Sequence, residues 1–389
     1  MTAHASLAPS ASDKWGMCAG YVQAVADLAD ETSKPAAEGT AAHHVSDSCL
    51  ALGMTAHDFI GQTIHVEGFD FEWTEYDADL LQYGIDRVRS FGGKFYGEQR
   101  IDISRWLGPN QFGTLDRAII TDDKRIIIND LKWGRGIPVS PVHNWQLGLY
   151  ALGFWNDIAR HITDARDFLL IIDQPRNAGG GGEWPVSLDE LLAFGETAKG
   201  AAEASRMPNP PLTAGIGCRY CPRAKAPGGC PALDTFNLDL LGIAPDDLDG
   251  GAITLDTESP VDRRRRSVLL QFKPLLKTWL DKMEEDALAE ALAGETLPLL
   301  KAVSGRRPPR KWLDDKAAEA TLTDDLGDDA IEHKVKSPTK IEKMLGRTEF
   351  AEKYGSLIEI GDPKPILVSD KDDRPALKPI SDQFADLPE

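Results

Sequence analysis

Two apolar stretches in succession carry acids where an ordinary buried hairpin would carry none. The first reads Phe112-Gly113-Thr114-Leu115-Asp116-Arg117-Ala118-Ile119-Ile120, the second Arg125-Ile126-Ile127-Ile128-Asn129-Asp130-Leu131-Lys132, and Thr121-Asp122-Asp123-Lys124 is a turn-type link between them. Side chains two apart on a strand share a face, so Asp130 and Lys132 point the same way while Leu131 faces the core. Asp116, on the neighbouring strand, can reach the same pocket. Three charges in an apolar hairpin are costly to bury unless an ion or a substrate uses them. Carboxylates, with the Leu131 carbonyl as a further oxygen, are the hard donors that Mg²⁺ or Mn²⁺ prefers.

The pattern around this hairpin predicts an α/β fold. Residues 1–92 read as helical, with helices expected over Trp15–Leu28, Glu38–Leu52 and Glu75–Phe91. Strands follow at Phe95–Ile101, Phe112–Ile120 and Arg125–Lys132. Ser140 as N-cap and Pro141 in the first turn suggest a helix through Trp145, Leu149 and Leu152. The wholly apolar run Phe168–Ile172 predicts a buried strand, 177–182 a glycine-rich loop, and Leu188–Ser205 another helix. This order implies a central mixed sheet flanked by helices. Residues 234–262, rich in Asp, Gly and Pro, read as a linker between a domain spanning 1–233 and a mainly helical region spanning 263–389. That region opens on a long amphipathic helix, Arg263–Leu292, and ends in a Pro- and Asp-rich tail from Asp362. No run approaches the ~20 apolar residues of a membrane span. Met1–Ser12 lacks a basic start and an apolar core, so a cytoplasmic location is expected.

Further residues line up with the hairpin in chain order. Gly39-Thr40-Ala41-Ala42-His43 brings an imidazole, and its glycine is expected to permit a close backbone approach. Glu98 sits in the first strand and offers an additional carboxylate; an exposed edge-strand acid is the plainer reading. Gln146 and Tyr150, at i and i+4 of the following helix, share one face. They can contact phosphate or position the lysine, or Tyr150 can simply pack with its hydroxyl at the surface. The ordered set, G-x-x-x-H, then E, G-x-x-D, D-x-K and Q-x-x-x-Y, resembles the RecB-like branch of the PD-(D/E)XK nuclease superfamily over residues 10–233. The resemblance implies a sheet core flanked by helices and a metal-dependent DNA nuclease. It places His43, Asp116, Asp130 and the Leu131 carbonyl as metal ligands, Lys132 as the catalytic lysine, and Gln146 and Tyr150 in the branch's third motif. The acid before the lysine is Asp here, where Glu is commoner in that branch.

Of five cysteines, Cys218, Cys221 and Cys230 cluster in a Gly- and Pro-rich loop, and Cys18 lies some 200 residues upstream. In a cytosolic chain such clusters point to metal rather than to disulfides. One distant cysteine plus a triplet resembles the iron–sulfur staple of AddB-type helicase–nucleases. The resemblance implies a [4Fe–4S] cluster tying the N-terminal helix to the end of the nuclease domain. The longer last spacing leaves a four-cysteine zinc site as the rival. Cys49, in an apolar helix, reads as a small buried hydrophobe.

The net charge of −19 argues against a protein that coats DNA non-specifically. From Arg263 to Lys311, however, twelve Lys/Arg stand against six Asp/Glu, a local charge of +6. Either this is a solvated face and a basic loop, or it is a track for a nucleic acid strand, with Trp312 stacking on a base or anchoring the C-terminal region. By charge alone, Arg263–Leu292 is a candidate cover for the hairpin site. Gln174-Pro175-Arg176 and the basic stretch Lys301–Trp312 are similar to stand-alone RecB-like nucleases of phages and prophages. This implies an exonuclease in recombination or replication, beside a single-strand-binding or annealing partner and in the host cytoplasm. A structure-specific or single-strand endonuclease and a catalytically silent DNA-binding scaffold are the alternatives. No oligomer interface is legible.

Overall fold

A computed structural model describes residues 5–29, 33–177, 179–241, 263–297, 300–303, 319, 321–323 and 336–358. The basic stretch 306–311, Trp312 and the tail from Asp362 lie outside these residues. Among the described residues no helix is long and apolar enough to cross a membrane.

The centre is a five-stranded mixed sheet in chain order: β3 (Lys94–Asp102), β4 (Phe112–Ile120), β5 (Arg125–Leu131), β6 (Asp167–Asp173) and β7 (Gly182–Ser187). β5 and β6 run parallel and the other neighbours antiparallel. The parallel pair is crossed by α6 (Trp145–Asp157), whose apolar face covers one side of the sheet with Leu147, Leu149, Ala151, Leu152 and Phe154. The other side is covered by α3 (Lys34–Leu52) and α4 (Glu75–Ser90). β5 and β6 are buried on both faces, which is why they read as unbroken apolar runs. α7 (Leu188–Ser205) starts where predicted, at a capping box formed by Ser187 and Glu190.

Several expectations need correction. Trp15–Leu28 is not one helix: it breaks into the short turns α1 (Ser12–Trp15) and α2 (Tyr21–Ala24). A Cβ on Gly16 would lie 2.6 Å from the Trp145 ring, and one on Gly20 2.9 Å from the Pro210 carbonyl, so packing decides the path there. The N-terminal part also holds a hairpin, β1 (Thr63–Val66) with β2 (Phe69–Glu72), turning on Glu67 and Gly68, both at positive φ. α6 begins at Trp145, not Ser140. Asn144 caps it by accepting from the Leu147 amide at 3.1 Å, and His143 at φ 53° breaks the chain before it. β7 follows the glycine loop directly, and β5 ends one residue before Lys132.

Beyond the sheet, α5 (Ser104–Leu107) and α8 (Pro222–Lys225) are single turns, and α9 (Pro231–Leu241) is helical where a linker was expected from 234. α10 (Arg263–Ala293) packs on α8, α9 and the turn that carries Cys218. Leu275 and Trp279 are its buried anchors, and the Trp279 indole donates to Asp234 at 2.7 Å. Its described packing is therefore against the cysteine loop rather than over the acid hairpin. α11 (Pro338–Leu345) and α12 (Arg347–Tyr354) return to the body of the fold, α11 against α4.

Candidate functional site

The β-ladder itself builds the site. β3 and β4 pair Gly97 with Arg117 and Gln99 with Leu115, so Glu98 stands opposite Asp116 at the one level without a bridge. β4 and β5 pair as far as Arg117 with Asn129; one step further, Asp116 stands opposite Asp130. Three acids thus fall in one row across three strands. Like charges directly opposite repel, and the ladder opens at this level. Glu98 takes φ 41°, unusual for a residue with a Cβ. The Leu131 amide donates to Asp116 Oδ2 at 2.8 Å instead of to a strand carbonyl.

α6 serves this row from one side. Gln146 Oε1 accepts from Lys132 Nζ at 3.0 Å, while its Nε2 donates to Asp130 Oδ1 at 3.1 Å and to the Tyr150 hydroxyl at 3.2 Å. Lys132 Nζ also lies 2.7 Å from Asp130 Oδ2. Tyr150 does not place its hydroxyl at the surface: the residue is buried, and burial beside Asp130 keeps the phenol protonated. Its ring explains the glycine of G-x-x-D, because a Cβ on Gly113 would sit 2.9 Å from Tyr150 Cε1. Asp130 is 1% exposed. Burial pushes its carboxyl upward, the Lys132 charge pulls it down, Asp116 pushes it up again, and the outcome is upward. Burial alone would lower the Lys132 ammonium; the attraction of Asp130, its hydrogen bond and Asp116 outweigh that and raise it.

α3 serves the row from the other side. His43 Nδ1 lies 3.4 Å from Asp116 Oδ2. Gly39 faces open space, so the close backbone approach expected there is absent. One turn beyond His43 stands Asp47, which the motif reading missed. The i, i+4 spacing from His43 was the available signal, but an acid on a half-buried helix face is common and carries no motif. Both Asp47 oxygens are buried without a donor. Burial raises this carboxyl to about 7, helped by Glu98, which lies within hydrogen-bond reach; Arg117 opposes the rise.

Among the described residues no three His, Cys, Asp or Glu side chains close around a common ion position in this conformation. The donor chemistry nonetheless fits a divalent ion. His43, Asp116 and Asp130 meet at one level of the sheet, and the deeply buried Asp130 has Lys132 as its one ion-pair partner among the described residues. The four cysteines expected to act together also converge. Cys18, Cys218, Cys221 and Cys230 are free thiols and line one cavity of about 20 Å³. Burial raises Cys218 and Cys221, but backbone amides already point at sulfur: Thr213 N donates to Cys18 at 3.3 Å and Gly215 N to Cys218 at 3.4 Å. Such donors favour thiolates, the form that holds metal. Cys49 lies elsewhere, fully buried in α3, where burial pushes its thiol to about 11. Gln174 braces the loop after Lys132, bonding Gly134, Ile137 and Val139, and Arg176 covers the Trp133 ring while pairing with Glu38.

The chain belongs to the family described as "Protein of unknown function (DUF2800)", whose model matches residues 4–375. Two crystal structures show partial similarity. That of SSO0001 is 22% identical, with 40% of this chain and 68% of that one covered and a TM-score of 0.24. A protein from Eubacterium rectale named "Putative exonuclease" is 11% identical, with 52% and 83% covered and a TM-score of 0.29.

Proposed function

We propose that this protein is a divalent-metal-dependent deoxyribonuclease, of the RecB-like PD-(D/E)XK kind, that hydrolyses DNA from its ends. The observation that carries the reading is the Asp116–Asp130–Lys132–Gln146 arrangement: two strand acids opposite one another, with a lysine held beside the second by a glutamine. His43, Asp116, Asp130 and the Leu131 carbonyl would hold Mg²⁺ or Mn²⁺. Such an ion lowers the pKa of bound water and offsets charge on the scissile phosphate.

The protein's own groups supply the rest. Lys132, kept protonated by Asp130, is placed to donate to a non-bridging phosphate oxygen as negative charge grows in the transition state. Gln146 fixes the reach of Lys132 and the rotamer of Asp130 with one side chain. Tyr150 holds the Gln146 amide, so Nε2 is turned to Asp130 and Oε1 to Lys132. Asp47, its carboxyl raised to about 7 chiefly by burial, stands beside Glu98 at the edge of the row. The cysteines would hold a [4Fe–4S] cluster or a zinc ion that joins the segment after α1 to the loop before α9. DNA is the proposed substrate, and a single-strand-binding or annealing protein the proposed partner.

The test uses purified protein with linear and with covalently closed circular DNA, in Mg²⁺, Mn²⁺ or chelator. Metal-dependent loss of linear DNA alone is expected, and Asp130→Ala abolishes it. Nicking of circles would move the assignment to an endonuclease. Absence of cleavage of either DNA, with Asp130→Ala indistinguishable from wild type, removes the enzyme reading. A brown anaerobic preparation with visible charge-transfer absorbance identifies iron–sulfur; a colourless one containing zinc identifies the rival.

A further inference from the structure

One buried charge has no part in the reading above. Arg117 follows Asp116 directly and is 1% exposed. Neighbouring strand residues face opposite ways, so Arg117 and Asn129 lie behind the acid row, on the α3 and α4 side of the sheet. Arg117 Nη1 donates to Asn129 Oδ1 at 2.8 Å, and Asn129 is the residue before Asp130. Arg117 Nη2 donates to Ser46 Oγ on α3, three residues after His43. Asp173 Oδ2 lies 3.7 Å from Nη1 and accepts from Asn129 Nδ2 at 2.7 Å, while the Asp173 carbonyl accepts from the Lys132 amide at 2.8 Å. Ser46, Asn129 and Asp173 are all buried.

We propose that Arg117 is the positioning residue of this site: from the far face of the sheet, its guanidinium sets the spacing of the segments that carry His43, Asp116, Asp130 and Lys132. The proposal rests on the metal-site reading above. Stability alone does not explain such a residue. A buried ion network is commonly no more stabilising than well-packed apolar side chains of the same volume. What it supplies is a fixed fork: two nitrogens in one plane tie β5 to α3 while the backbone on either side belongs to β4. Near His43, α3 reaches the strands by two other side-chain contacts among the described residues, the His43–Asp116 pair and the approach of Asp47 to Glu98 on β3, and neither touches the Asn129 side chain next to Asp130. Without the fork, the separation of His43 and Asp130 rests on packing and on contacts made by the acids of the row themselves. A metal site responds to that separation directly, because its ligands must converge on one point.

The experiment measures Mn²⁺ binding by calorimetry, without DNA, on the full chain, together with kcat and KM on linear duplex. Arg117→Lys keeps the charge and loses the fork; Ser46→Ala keeps the arginine and cuts only its link to α3. Loss of an outer partner of metal ligands typically costs ~10–100-fold in affinity or activity, and Arg117→Lys is expected in that range for both Mn²⁺ binding and kcat, with KM for DNA within about twofold. Ser46→Ala is expected to weaken Mn²⁺ binding by at least about threefold, and the double variant to be no weaker than Arg117→Lys alone, because both cut the same link. Where Arg117→Lys does not fold, Ser46→Ala decides. Folded variants that bind Mn²⁺ as wild type does overturn the proposal while leaving the metal site standing, provided Asp130→Asn loses the ion. Wild type that binds no Mn²⁺ removes the metal-site reading and this proposal with it.

Discussion

Asp47→Asn tests the electrostatics of the site without any assumption about catalysis. Burial and the neighbouring Glu98 raise the Asp47 carboxyl from 3.8 to about 7. Between those values the native state holds a proton that the unfolded chain has already lost. Stability therefore falls as pH rises from about 4 to about 7 and is level above that. At ~1.4 kcal/mol per pH unit the full linkage is about 4 kcal/mol. Asp47 is only partly buried, and solvent screening brings the expected effect to roughly 2 kcal/mol. Asparagine keeps the shape, carries no charge and can donate to Glu98. In chelator, to exclude ion binding, the variant should match wild type near pH 4 and be more stable by roughly 2 kcal/mol at pH 8.5, or about 4–8 °C in melting temperature for a domain of this size. A stability difference that stays constant from pH 4 to pH 8.5, or a variant less stable at the higher pH, refutes the reasoning.

Other perturbations have equally direct readouts. Gln146→Leu removes the acceptor of Lys132 and the donor to Asp130 together; a fall in kcat of ~10–100-fold with KM for DNA nearly unchanged is expected in steady-state assays, and unchanged kcat would count against the Gln146 role. Gly113→Val places carbon where Tyr150 Cε1 and Pro9 Cγ would be 2.9 and 2.8 Å from its Cβ; a loss of about 1–3 kcal/mol in a denaturant melt is expected, as for other overpacked cores. Cys221→Ser should lower iron or zinc content by elemental analysis and make the 213–230 loop a preferred site of limited proteolysis; full metal content would show that Cys221 is not a ligand.

Much of the site was legible because it rests on local rules. Period-2 alternation put Asp130 and Lys132 on one face, and helical spacing put Gln146 beside Tyr150. Both relations hold in the structure, where Gln146 joins all three partners. The strands around Phe112–Ile120 and 168–172 were legible from apolar runs for the same reason. What escaped the sequence was set by distant contacts. Ser140 and Pro141 form a sound helix-start signal, yet His143 at positive φ and the cap at Asn144 move the start of α6 to Trp145. Gly16 and Gly20 break an otherwise helical pattern because Trp145 and residues 210–212 lie against them. Asp47 and Arg117 acquire meaning only once α3 lies across the sheet. The charge of α10 suggested a cover for the site, whereas its apolar residues Leu275 and Trp279 decide where it docks.

The acid row also accounts for the position of the site in the fold. A sheet gains from continuous pairing, and an unbroken ladder through Glu98, Asp116 and Asp130 would force three carboxylates into adjacent cross-strand places. The ladder opens there instead. The freed Leu131 amide binds a side-chain carboxylate, and helices from both faces bring side chains into the gap: His43 and Asp47 from α3, Gln146 and Tyr150 from α6. Against these acids stand the Lys132 ammonium at the row and the Arg117 guanidinium behind it. Burial above all, and the neighbouring acids after it, raise Asp130 and Asp47, and burying these carboxyls costs the protein stability. Structures keep such local strain where another function offsets it. A cation at this level offsets it most directly, since the arrangement that costs stability without an ion is the arrangement that would hold one.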